Sequence, residues 1–318
     1  MRPLRVLALS LAAALLLPLA SLPPAFATLP GGAGRIAFET GRSDEFDIWS
    51  MNPNGSSKKR LTTSAAEDHS PAWAYAGIVF SQNPIGGGNG DIWRMNFDGS
   101  HKVRLTSTPD ISETDPAWSP DAEVPLSAIR VVFASSKTGG GDLYTVRASD
   151  GGNLTRITSS KKPDFQPDWS IGNSTFPHGR IAFVSTRSGN ADIYVMKPDG
   201  TGLKRLTFNT ASDSQPTWDP DAKRIAFVSD RDGDNEIFVM NADGTHLKQI
   251  THNGANDQGP VWSPECGPGS TTCRIAFMSN RDASSFEIYT MKPDGSNVLR
   301  LTHDGFVDGF PTWEPLAG

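Results

Sequence analysis

Short stretches of alternating apolar and polar positions recur along the chain, about 42 to 53 residues apart. Stretches such as "IAFVS" (181–185) and "EIFVM" (236–240) combine β-branched and aromatic residues in the pattern typical of half-buried strands. No segment shows the period of a helix. The repeat spacing is the one expected of propeller blades. One phenylalanine marks each copy: Phe38, Phe80, Phe133, Phe183, Phe227 and Phe277.

Each copy of the repeat predicts four strands. An Asp-Gly or Asn-Gly turn separates two of them, because glycine supplies the positive φ of a tight turn. These glycines are Gly55, Gly99, Gly151, Gly200, Gly244 and Gly295. A proline two residues before a tryptophan opens another strand. These tryptophans are Trp73, Trp118, Trp169, Trp218, Trp262 and Trp313.

Six copies of a four-stranded unit predict an all-β fold, a six-bladed β-propeller with antiparallel blades. The first repeat begins at the "IAF" strand (35–40), and the last copy ends on a Pro-x-Trp strand (around 312–313). We therefore expect the C-terminal strand to pair with the N-terminal strand and close the ring. The phenylalanines and tryptophans should pack between neighbouring blades, since they recur once per unit.

The stretch "PTWDPDAKRIAFVSDRDGDNEIFVMNADGTHLKQIT" (216–251) resembles the TolB-type, WD40-like propeller repeat. The resemblance covers essentially the whole chain after residue 27. It implies a secreted or periplasmic propeller that acts as a non-catalytic scaffold for another protein. TolB-type proteins carry an α/β domain ahead of the propeller, and peptidase members carry a hydrolase domain. Here only a predicted signal peptide precedes the repeats, so the expectation is the propeller alone.

The N-terminus predicts export. Residues 1–27 contain Arg2 and Arg5, an apolar run too short to span as a helix, and a small-x-small site ending at Ala27. We expect cleavage after Ala27, a single domain over 28–318, and a secreted or periplasmic monomer. The formal net charge of −6 disfavours nucleic acid and anionic membranes as partners, and no later stretch predicts membrane insertion.

Cys266 and Cys273 are the two cysteines. In an oxidising compartment their close spacing favours a disulfide that pins a loop. Free thiols or metal ligation are the alternatives.

Alternating acids in "SDRDGDNE" (229–236) resemble a calcium loop, but the later bidentate glutamate of an EF-hand is missing. We therefore interpret the stretch mainly as a turn between strands.

An acidic residue stands three positions before each repeat proline. These residues are Asp68, Glu113, Asp164, Asp213, Asp257 and Asp308. A ring of carboxylates at a channel mouth would raise the pKa of each member unless something compensates the charge. One interpretation is pairing with the recurring arginines between blades. The alternative is a cation, with calcium as the candidate, or a small polar ligand at the channel mouth.

The sequence shows no nucleophile elbow, zinc helix or phosphate loop. We therefore expect no catalytic residue and no cofactor. A lyase or glycosidase site built from scattered residues is the least favoured alternative.

Overall fold

The computed structural model describes residues 34–42, 45–86, 88–120, 124–282 and 284–316. The predicted signal peptide, 1–27, lies outside the described residues. Twenty-four strands form six four-stranded antiparallel sheets, with no helix in the described part of the chain. This confirms the predicted six-bladed propeller.

In every blade the strand nearest the axis is paired with a second, then a third, then a short fourth strand. From the axis outward, blade 1 consists of β24(Asp308–Trp313), β1(Ile36–Thr40), β2(Asp47–Met51) and β3(Lys59–Arg60). Blade 2 consists of β4(Glu67–Ala74), β5(Gly77–Asn83), β6(Asp91–Met95) and β7(Val103–Arg104). Blade 3 consists of β8(Glu113–Trp118), β9(Arg130–Ser135), β10(Asp142–Arg147) and β11(Thr155–Arg156). Blade 4 consists of β12(Asp164–Trp169), β13(Ile181–Ser185), β14(Asp192–Met196) and β15(Lys204–Arg205). Blade 5 consists of β16(Asp213–Trp218), β17(Arg224–Ser229), β18(Glu236–Asn241) and β19(Lys248–Gln249). Blade 6 consists of β20(Asp257–Trp262), β21(Ile275–Ser279), β22(Glu287–Met291) and β23(Leu299–Arg300).

The ring closes as the sequence predicts. Strand β24 lies antiparallel to β1, with Ile36 opposite Trp313 and Thr40 opposite Asp308. Blade 1 is therefore built from both ends of the repeat array, so no blade edge is left open at the closure.

The core consists of six apolar clusters, each shared by two neighbouring blades. Between blades 4 and 5, for example, Phe227 and Trp218 of blade 5 pack against Val184 and Ile193 of blade 4. All six repeat phenylalanines are fully buried. The prediction that the phenylalanines and tryptophans pack between blades is confirmed.

A bulge interrupts every inner strand next to the repeat proline. In β16 the register with β17 shifts between Ser214 and Thr217, and Gln215 has a φ of 52°. The proline that follows cannot donate to the ladder, which favours a bulge at this point. The bulges face the axis, so they line the channel rather than the blade interfaces.

The repeat glycines allow close contact between blades. Gly99, with a φ of 89°, approaches the carbonyl oxygen of Leu61 in the preceding blade so closely that a Cβ would lie 2.4 Å from it. A larger residue would strain both the turn and the blade contact.

Each inner strand runs from its acid to its tryptophan, so the propeller has two distinct faces. The acid face carries the inner-strand starts and the turns between second and third strands. The tryptophan face carries the inner-strand ends and the loop residues 119–120, 124–129, 170–180 and 263–274. No helix in the described residues has the length and apolar character needed to cross a bilayer.

Candidate functional site

The six predicted acids lie at the starts of the inner strands, and we call them the inner-strand acids. All six are buried, none more than 1% exposed. The axial cavity of about 160 Å³ is lined by the bulge residues and prolines, not by these acids. The acids therefore lie behind the channel wall, between blades. Ligand or ion binding by them stays a prediction.

Arginines neutralise four of the inner-strand acids, but within a blade and not between blades as expected. In blade 4, Arg187 donates to both Asp164 oxygens at 2.9 and 2.8 Å, while Ser185 Oγ accepts from its Nε. The reason is register: Asp164 lies opposite Ser185, so the turn that follows β13 returns the arginine to its own inner strand. The matching pairs are Arg42–Asp308, Arg231–Asp213 and Arg281–Asp257.

The same arginines lie over aromatic rings of their own blade, for example Arg231 over Phe238 with 4.3 Å to the ring centroid. Such contacts add cation–π stabilisation and hold the guanidinium in place. Blade 2 has no arginine here, and Gln82 donates to Asp68 at 2.7 Å. In blade 3 the charge of Lys137 acts on Glu113.

Each third strand also begins with an acid, for which no partner was predicted from the sequence. These third-strand acids are Asp47, Asp91, Asp142, Asp192, Glu236 and Glu287. An arginine from the fourth strand pairs with five of them: Arg60–Asp47, Arg104–Asp91, Arg156–Asp142, Arg205–Asp192 and Arg300–Glu287. In four of these blades the threonine two positions after the arginine also donates to the acid, as Thr62 does to Asp47 at 3.1 Å. The recurrence of this Arg and Thr in the sequence was the available signal.

The two acid sets meet at the blade junctions. The backbone N–H of each inner-strand acid donates to the carbonyl just before a third-strand acid, as Asp68 does to Phe46 at 2.8 Å. Burial raises the pKa of Asp68 and of Glu113, with a further contribution from the neighbouring third-strand acid. Burial likewise raises the pKa of Asp308 to about 6. Each junction therefore brings together two buried acids of neighbouring blades through a backbone hydrogen bond, and the arginines that neutralise such acids come from the acid's own blade.

The calcium-like stretch forms the turn between β17 and β18, where the Gly233 N–H donates to the Asp230 carbonyl at 3.1 Å. Its interpretation as a turn is confirmed. The turn also brings carboxylate oxygens of Asp232, Asp234 and Glu236 within 4.8 Å of one another.

All six repeat tryptophans line one cavity of about 490 Å³ on the tryptophan face. Five are nearly buried, between 4% and 8% exposed, so they form a wall. Exposed apolar side chains at the same cavity are Tyr75, Ile171 and Leu316. This cavity was not predicted from the sequence, because the tryptophans were expected only to pack between neighbouring blades. Their recurrence at the end of every inner strand was the signal.

Asp168, a half-buried acid on β12, lines both this cavity and the axial cavity. Its Oδ2 accepts from the backbone N–H of Trp218 at 2.7 Å. Burial nevertheless raises its pKa to about 6.

Cys266 and Cys273 are joined by a disulfide, with their Cα atoms 4.4 Å apart. The bond closes the loop between β20 and β21 on the tryptophan face. Both cysteines pack with Trp262 and Ile275 in the cluster between blades 5 and 6.

This geometry defines a β-propeller with axial cavities and with buried acids that pair with arginines inside its blades. The family PD40, described as "TolB beta propeller domain", matches residues 107–218 and 174–317, more than half of the chain. The chain belongs to this TolB β-propeller family.

Similar proteins extend the comparison. The Tol-Pal system protein TolB of Geobacter sulfurreducens is 39% identical over 80 residues, which are 25% of this chain and 18% of that protein. The crystal structure of TolB from Acinetobacter baumannii has a TM-score of 0.72 at 19% identity, covering 89% of this chain and 67% of that one. Hydrazine synthase of Kuenenia stuttgartiensis has the same TM-score at 17% identity, covering 89% and 47%. These structural likenesses show the fold alone, and the alignment to the Geobacter relative covers less than a fifth of that protein's length.

Proposed function

We propose that this protein is an extracytoplasmic, non-catalytic scaffold that docks another protein through the tryptophan-lined cavity. The observation that carries the proposal is the cavity itself, with six tryptophans in its wall and three exposed apolar side chains at its edge. A volume of about 490 Å³ is within the range of sites that bury a small ligand or a short peptide segment. Exposed apolar residues around a concave site favour a binding role.

The chemistry of the cavity suggests the class of partner. Its walls are mainly apolar and aromatic, and the two carboxyl groups in them, those of Asp168 and Asp219, already accept backbone hydrogen bonds. We therefore expect an apolar chain segment, anchored by one or two aliphatic or aromatic side chains, rather than an acidic one. The relatives named as Tol-Pal system proteins are consistent with a partner in the cell envelope.

Export is part of the proposal. It is supported by the signal-peptide pattern of residues 1–27 and by the disulfide between Cys266 and Cys273, since disulfides persist in oxidising compartments. We propose a periplasmic or secreted location, with the chain from residue 28 as the functional unit.

A capture experiment tests the docking proposal. The purified protein is mixed with solubilised envelope proteins of the source organism, in parallel with a variant carrying Tyr75→Ser, Ile171→Ser and Leu316→Ser. We expect a partner that the unchanged protein retains and the triple variant loses. These three side chains are already exposed, so their loss should leave the fold intact.

The matched control removes exposed apolar groups from the acid face. It carries Ile85→Ser, Phe208→Ser and Phe306→Ser, all of which are solvent-exposed. This control should retain the partner. A partner lost by the control but kept by the first variant would move the docking site to the acid face. Capture of a small apolar compound, with no protein, would replace the scaffold by a ligand-binding role.

A further inference from the structure

Blade 5 differs from the other blades at its third-strand acid. In the other five blades a fourth-strand arginine pairs with that acid. In blade 4 the pairing arginine, Arg205, lies opposite Tyr194. The register is the same in blade 5, where Gln249 lies opposite Phe238. A neutral side chain therefore stands where five blades place a positive charge.

The groups that donate to Glu236 in the described part of the chain are neutral: the backbone N–H of Asn253 donates to Oε1 at 2.5 Å and its side-chain amide to Oε2 at 3.5 Å. Glu236 is fully buried, yet among the described residues no lysine or arginine is ion-paired with it, with Asp232 or with Asp234. Gln249 donates its Nε2 to Asp232. The neighbouring Arg231 is engaged with Asp213 at 3.0 Å. Blade 5 thus loses one cation and gains two carboxylates around the same acid.

Two buried oxygens at this place have no hydrogen-bond donor. One is Oδ2 of Asp234, which is closed off from solvent. The other is Oδ1 of Asp257, whose Oδ2 is paired with Arg281 at 2.5 Å and whose side chain lies within hydrogen-bonding range of Glu236. A carboxylate oxygen that is closed off from water without a donor is unfavourable, so Oδ2 of Asp234 favours a positive group at this place.

We propose that a calcium ion occupies this place, bound by carboxylate oxygens of Asp232, Asp234 and Glu236, and substitutes for the guanidinium of the other blades. The three oxygens lie within 4.8 Å of one another. Calcium–oxygen distances of about 2.3 to 2.6 Å place two ligands of one ion at most about 5 Å apart, so the cluster fits. Magnesium needs oxygens at about 2.0 to 2.1 Å in near-ideal octahedral geometry, which this open turn does not impose. Zinc prefers nitrogen and sulfur ligands, which the cluster does not supply.

A proton is the competing occupant. Burial raises the pKa of Glu236 to about 7, and the negative charge of Asp257 and a hydrogen bond with that residue contribute to the rise. A protonated Glu236 would share its proton with Asp257 and need no metal. The two occupants differ in their response to calcium, since a site neutralised by a proton alone would show none.

Calcium titration with three variants tests the proposal. The purified protein is freed of metal with EDTA, dialysed, and titrated with CaCl₂ and separately with MgCl₂ at pH 7.5, by calorimetry and thermal unfolding. We expect calcium binding with a Kd on the order of 0.1 to 1 mM, as in extracellular calcium modules. At 100 times Kd the Tm should rise by about 5 °C.

Gln249→Arg is the decisive variant, because it restores the guanidinium found in five blades. It should abolish the calcium-dependent rise in Tm while its metal-free Tm equals or exceeds that of the unchanged protein. Asp232→Asn with Asp234→Asn should also abolish the rise. The control Asp221→Asn removes an acid on the tryptophan face and should leave the calcium response unchanged.

Three results would overturn the proposal. They are no calcium response in the unchanged protein at pH 7.5, a calcium response that survives Gln249→Arg, or an equal response to magnesium. Should the double asparagine variant fail to fold, Gln249→Arg still decides the question, since it adds the side chain that the fold already accommodates at Arg205 and Arg300.

Discussion

The ion pair between Arg187 and Asp164 gives the sharpest test of the arginine–acid pairs within the blades. We expect Arg187→Met to destabilise the protein strongly, because it leaves the fully buried Asp164 without its cation. Breaking a buried pair typically costs about 3 to 5 kcal/mol. Since the Arg187 side chain is still 25% exposed, we expect a loss nearer about 2 to 3 kcal/mol.

A double-mutant cycle with Asp164→Asn separates the pair from its surroundings. The asparagine carries no charge, so the doubly changed protein should be more stable than Arg187→Met alone. The free energy of unfolding is measured by urea denaturation of all four proteins. Arg147→Met, which breaks the solvent-exposed pair with Asp150, is the control and should not shift the midpoint measurably.

Additive single effects would refute the reasoning, as would a change below about 0.5 kcal/mol for Arg187→Met. Either result would mean that Asp164 is compensated by something other than the arginine. A bound cation at the inner-strand acids would then become the stronger interpretation.

Three further predictions concern the loop, the axial acid and the core. Replacing Cys266 and Cys273 by serine should lower the free energy of unfolding by about 2.5 kcal/mol, as urea denaturation without reductant would show, because the short loop gains freedom in the unfolded chain. Asp168→Asn should raise the free energy of unfolding by about 1 to 3 kcal/mol at pH 8 and change it little at pH 4. The pKa of Asp168 is raised to about 6, so the stability that its protonated form contributes is lost as the pH rises through that value. Equal effects of the substitution at both pH values would contradict this prediction. Phe227→Ala, in the cluster between blades 4 and 5, should cost about 3 to 5 kcal/mol in urea denaturation and reduce the near-UV circular dichroism.

The fold was predictable because six copies of one unit repeat the same evidence. The phenylalanine of each "IAF" stretch, the turn glycines and the terminal Pro-x-Trp strand predicted strand number, blade contacts and closure, and the pairing of Ile36 with Trp313 agrees. Local patterns carry such information when the same residue type recurs at the same register.

The sites were less predictable, because they depend on how the blades are arranged around the axis. Asp164 and Arg187 are 23 positions apart in sequence, and only the register of β12 with β13 shows that they share a blade. The wall of the cavity on the tryptophan face contains one tryptophan from each of six blades, so no single repeat contains the cavity. The absence of an arginine at Gln249 is readable in the sequence, but its consequence depends on Asp232 and Asp234 reaching the same acid.

Photo-crosslinking in cells tests the central claim most directly. p-Benzoylphenylalanine is placed at Tyr75 on the tryptophan face and, in a second strain, at Phe208 on the acid face; both positions are exposed. Docking in the tryptophan-lined cavity predicts a crosslink to an envelope protein from position 75 that Ile171→Ser with Leu316→Ser weakens, and no such product from position 208. A protein crosslink that forms from position 208 and not from position 75 would contradict the account.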